Sequence, residues 1–80
     1  MPTVLRVDAL RFVIWLNDHA PPHAHVFSSD AEATIGLGGP SGHPRVIENR
    51  RMKQADLAKA LRAVFNHRSA LLQKWSEYHG

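Results

Sequence analysis

No cysteine occurs in this sequence. That excludes disulfides and thiolate metal sites, and it fits a reducing compartment, the cytoplasm. No apolar run approaches the roughly 18 residues of a membrane span, and the opening MPTVLRV lacks the apolar centre of a signal peptide. The expectation is therefore a cytoplasmic protein with no membrane partner. The glycines of GGPSGHP (38–44) form a loop by every local rule. They are not followed by Gly-Lys-Ser/Thr, so a P-loop is excluded. Internal repeats, low-complexity tracts and a second composition are also missing.

What is present bounds the rest. A chain of 80 residues makes one domain, residues 1–80. A domain of that size buries only about 60% of its unfolded surface, so its core is small. A hydrophobic content of 44% with two tryptophans is adequate for a folded globule. The net charge of +3 and pI near 10.0 suit an anionic partner such as RNA or DNA, yet they also lie within the ordinary range for solubility.

The first half alternates with the period of strands. Thr3–Val7 is a short strand, with Asp8-Ala9 as its connection to Leu10–Asn17. Phe12–Leu16 is apolar without interruption, as in a strand covered on both faces. Ala24–Ser28 and Glu32–Leu37 follow, the latter with Ala33, Ile35 and Leu37 inward and Glu32 and Thr34 outward. Arg45–Asn49 is expected to be an edge strand. From Met52 the period changes. Leu57, Leu61, Val64, Arg68, Leu71, Trp75 and Tyr78 recur at spacings of four and three, with Ala58, Phe65 and Leu72 widening the stripe. One unbroken helix of that length would measure near 40 Å, longer than so small a domain needs, so two helical segments or a kink at Asn66-His67 are expected. The fold class expected is α+β, a small mainly antiparallel sheet of four to five strands followed by one long or kinked C-terminal helix or two helical segments.

Chemistry concentrates in NDHAPPHAHV, residues 17–26, which holds His19, His23 and His25 beside Asp18. His23 and His25 are two apart at the start of a strand, so they share a face at roughly 6.6 Å and can grip one ion. His19 would lie roughly 12 Å from His23 along an extended Ala20-Pro21-Pro22, and joins only if the prolines turn. Structure alone is the competing reading, since neutral imidazole, with one donor and one acceptor, can orient a loop. Arg68 breaks the helical stripe. It either extends its head to water or anchors a carboxylate or phosphate, with Glu48 as an internal partner if it is buried.

MPTV, NDHAPPHAHV and the C-terminal HRSALLQKW resemble the bacterial domain-of-unknown-function family 4160 over nearly the whole chain. Members typically begin MPT, carry N-D/E-H-x-P-P-H-x-H-V and end with a helical H/N-R-x-x-L-L-x-x-W segment. The sequence departs from that pattern at Gly38–Pro44, a longer and more glycine-rich connection. The resemblance implies no reaction. It does imply gene neighbourhoods shared with another small uncharacterised domain, in an arrangement like a toxin–antitoxin pair, and hence a possible small protein partner.

Three functions remain open. The first is an RNA-directed, toxin-like module. Arg45, Arg50, Arg51, Lys53, Arg62 and Arg68 would bind phosphates, and His19, His23 and His25 would supply acid and base. The second is a metal-binding module or small metalloenzyme, with zinc or another divalent ion on His23 and His25 together with His19 or Asp18. The third is a structural protein that docks a partner. Whether the chain is an enzyme is left open.

Overall fold

The computed structural model describes residues 3–15, 18–19, 21–38 and 42–79. Five strands come first: β1 (Thr3–Val7), β2 (Leu10–Val13), β3 (His23–Phe27), β4 (Glu32–Gly36) and β5 (Arg45–Arg50). Two helices follow, α1 (Gln54–Asn66) and α2 (Arg68–His79). The strands lie in chain order, each antiparallel to the next. This is the expected α+β class. Among the described residues no helix is long and apolar enough to cross a membrane.

Register sorts the side chains. Phe12 pairs with Val26 and Val26 with Ala33, while Ala24 pairs with Ile35. Directly opposed residues share a face, so these five form one apolar surface. Leu57, Ala60, Ala63 and Val64 of α1 and Leu71 and Trp75 of α2 complete the same core cluster. Fully burying side chains such as Phe12, Ile35 and Leu71 contributes about 1.5–3 kcal/mol each. The opposite face carries Arg11, Phe27 and Glu32 in one row, and His25 with Thr34 in the next. Phe12 and Val13 are both fully buried, as expected of a strand covered on two sides.

Several boundaries differ from expectation. β2 stops at Val13, and Ile14 is buried outside any strand; Leu16 and Asn17 lie outside the described residues. The Asp8-Ala9 connection is tight although it has no glycine. Asp8 adopts φ 54, a left-handed conformation that a short polar side chain tolerates, and Lys59 Nζ ties it to α1 at 3.3 Å. Gly38 and residues 42–44 carry no regular structure, as the loop reading requires. β5 is exposed along its whole length, with Ile47 half exposed.

The helical stripe from Leu57 to Tyr78 is buried or half-buried at each of its seven positions. Ala58 and Phe65 do not widen it. Both are exposed, because they fall beyond the arc that the sheet covers. The helix breaks at His67 (φ −111, ψ 20), yet His67 N–H still reaches Ala63 O and Leu71 N–H reaches His67 O, each at 3.0 Å. The break is thus a kink across which the stripe continues.

Candidate metal centre

The prolines turn the chain, and the turn is pinned. Leu37 N–H donates to Pro22 O at 3.0 Å, which fastens the proline segment to the end of β4 just before β3 begins. Asp18 is held from the other side. Its Oδ2 accepts Trp15 N–H at 3.1 Å while its own N–H donates to Trp15 O at 3.2 Å. The consequence is that the Asp18 carboxylate faces the two strand histidines.

Asp18, His23 and His25 offer ligand atoms that all lie within 4.8 Å of one another. His23 Nε2 is 3.5 Å and His25 Nε2 3.4 Å from Asp18 Oδ2. The three side chains are mostly buried, at 13–18% exposure, so water screens them poorly. His23 Nδ1 lies 2.8 Å from Pro21 O, and a carbonyl only accepts. The His23 proton is therefore on Nδ1, and in the neutral ring the Nε2 lone pair faces Asp18. His25 Nδ1 is buried without a hydrogen-bond partner among the described residues, with Glu32 Oε2 at 3.7 Å. A proton there would again turn the Nε2 lone pair to Asp18.

His25 Nε2 also lies 3.5 Å from Asp18 Oδ1, as donor or acceptor according to its tautomer. With both Nε2 atoms unprotonated, two lone pairs and a carboxylate would converge on one point and repel unless a cation lay between them. A proton would draw nitrogen and oxygen to about 2.7–2.9 Å, the length of a charge-assisted hydrogen bond. Two ligands on a tetrahedral zinc with bonds near 2.0–2.1 Å stand roughly 3.3 Å apart. The observed 3.4 and 3.5 Å match the second spacing.

A ring of contacts surrounds this group. Trp75 sets its ring 5.1 Å from that of His23 and stacks on His79 at 3.9 Å. His79 places Nδ1 2.9 Å from Trp75 O and Nε2 3.1 Å from Trp15 O. The last turn of α2 thereby holds the Trp15 backbone that orients Asp18.

The family model described as a domain of unknown function (DUF4160) matches residues 10–76. The chain belongs to the DUF4160 family. No curated protein and no solved structure matches it.

The other expected site residues of this DUF4160 chain are dispersed. His19 is exposed and is not in the group of three ligands. Arg50 pairs with Glu48 at 3.2 Å, so Glu48 is not the partner of Arg68. Arg68 is half-buried and donates from Nε to Leu37 O at 2.8 Å, which makes it a clamp on the end of β4. Arg45 and Arg62 are exposed on different cavities, whereas Arg51 and Lys53 line the same one. Sequence reasoning missed His79, Trp15 and Glu32. For His79 the sequence offered no signal, because its partner Trp15 is distant in the chain and reached only through the backbone carbonyl.

Proposed function

We propose that this protein is a metal-binding module whose ion is held by Asp18, His23 and His25. The observation that carries the reading is the pair of 3.4 and 3.5 Å separations between Asp18 Oδ2 and imidazole nitrogens whose proton is fixed on the far side of the His23 ring. Two histidines and a carboxylate suit zinc, and also ferrous iron with octahedral geometry. Zinc, which takes this donor set with tetrahedral geometry, is the ion proposed. Three protein ligands leave a coordination position for water or substrate, and bound zinc would supply a water acidic enough to act as a nucleophile near neutral pH. In this arrangement Asp18 gives the negative ligand, His23 and His25 the neutral ones. Glu32 Oε2, 3.7 Å from His25 Nδ1, sets a negative charge behind that ring, on the side where carboxylates stand to ligating histidines.

Cobalt tests this directly. Titrating Co²⁺ into the metal-free chain should give the intense visible bands of a tetrahedral ion together with quenching of Trp15 and Trp75, whose rings lie 6.4 Å from His25 and 5.1 Å from His23. Weak octahedral bands indistinguishable from aqueous cobalt would remove the reading.

Nucleic-acid direction is a second reading. It is supported by the exposure of Arg45, Arg50, Arg51, Lys53 and Arg62 on a chain of net charge +3. On this reading the same centre would act on a phosphodiester, and binding would weaken as salt rises.

A further inference from the structure

Two arginines that neither reading uses, Arg6 and Arg11, stand opposite one another on β1 and β2. Arg51 and Lys53, from the segment between β5 and α1, meet them around a cavity of about 480 Å³. The cavity lies at the end of the sheet where β3 turns into β4, with Phe27, Ser28 and Ser29 in its wall. Four cations face two carboxylates there, Asp30 and Asp56. Among the described residues none of the four cations makes an ion pair, although Arg50, Lys59 and Lys74 all do.

Two of the four are held in place. The Arg11 guanidinium sits 5.1 Å over the Phe27 ring. Arg51 adopts φ 71, a conformation that L side chains rarely take. Asn49 enforces it by accepting Met52 N–H at 2.9 Å and donating to Met52 O at 3.1 Å. Backbone strain of this kind persists only where the surroundings over-determine it. The cavity also connects to the histidines. Phe27 lies two residues beyond His25 on the same face of β3, roughly 6.6 Å away. The Glu32 backbone pairs with Phe27 and forms a parallel β-bridge with Arg51, while its carboxylate lies 3.7 Å from His25 Nδ1.

We propose that this cavity binds a phosphate of a single-stranded nucleic acid, laying the strand along β3 toward the Asp18–His23–His25 group. The inference rests on the nucleic-acid reading above and names the place where the strand is held. Guanidinium groups grip phosphate oxygens bidentately, and Arg11 over the Phe27 ring supplies a cationic aromatic surface of the kind on which an unpaired base rests. The serine hydroxyls at the rim add neutral donors.

The test is fluorescence anisotropy of a short labelled single-stranded RNA with the full chain, read over a series of salt concentrations. Arg11→Gln and Arg51→Gly should each weaken binding about tenfold and reduce the slope of log affinity against log salt by about 0.7. Glycine takes φ 71 without strain, so Arg51→Gly keeps the turn; circular dichroism checks the fold of both variants. Lys74→Gln, on the exposed side of α2, should behave as wild type. RNA binding that both cavity variants retain unchanged would overturn the cavity while leaving nucleic-acid direction standing. No salt-sensitive RNA binding by the wild-type chain would overturn both. Inorganic phosphate binding as tightly as the strand would overturn the assignment to a nucleic acid.

Discussion

Asp18 stands between two imidazoles because its backbone and side chain are both tied to Trp15, and His23 turns Nε2 to it because Pro21 O holds Nδ1. Each tie makes a separate demand. Asp18→Asn keeps an acceptor for Trp15 N–H but loses the negative ligand, so zinc affinity should fall by more than the roughly 10–100-fold typical of an outer contact, with little change in fold. His79→Ala should produce that smaller loss of about 10–100-fold, because it frees the Trp15 carbonyl without touching a ligand atom. Competition against a zinc indicator dye measures both. Equal affinity in Asp18→Asn and wild type would place the ion elsewhere. The pairing of His23 with His25 was legible from their spacing of two in a strand. The choice of Asp18 over His19 as third partner was not, since it depends on how Pro21 and Pro22 turn, which is set by a bond to Leu37 far along the chain.

Among the elements, α2 links core and site. Trp75 is 8% exposed in the shared core and also lies against His23, so Trp75→Ala should destabilise by about 3–5 kcal/mol. Phe65, at 55% exposure, should cost about 0.5 kcal/mol or less on the same change. Urea unfolding of the two variants gives the comparison, and equal midpoints would mean that α2 does not pack as described. The seam from Leu57 to Tyr78 could be read from its period alone, whereas Phe65 could not be placed, because the width of a buried arc depends on the surface opposite. β5, by contrast, was legible as an edge strand, and every residue of it is exposed at the end of the strand order. Arg45, Glu48 and Arg50 supply the charges that keep such an edge from pairing with another chain.

For the molecule as a whole, a small sheet with one helical layer is expected to be modestly stable, so an ion bound only by the folded chain should matter. At free zinc one hundred times its dissociation constant, stability should rise by about 2.7 kcal/mol. A melting temperature indifferent to zinc would show that the ion is not coupled to folding. The order of strands and helices followed from hydrophobic period, because each element repeats its own signal. The cationic cavity did not. Arg6 and Arg11 are unremarkable in a strand pattern, and they become neighbours of Arg51 and Lys53 only when the hairpin closes against the start of α1. The central claim is the ion on Asp18, His23 and His25, and its most direct test is elemental analysis of the untagged chain after loading with zinc and dialysis into metal-free buffer. Wild type should retain about one zinc per chain, and the folded His23→Ala, His25→Ala double variant close to none. Wild type that retains no zinc, or a double variant that retains as much as wild type, would contradict the account.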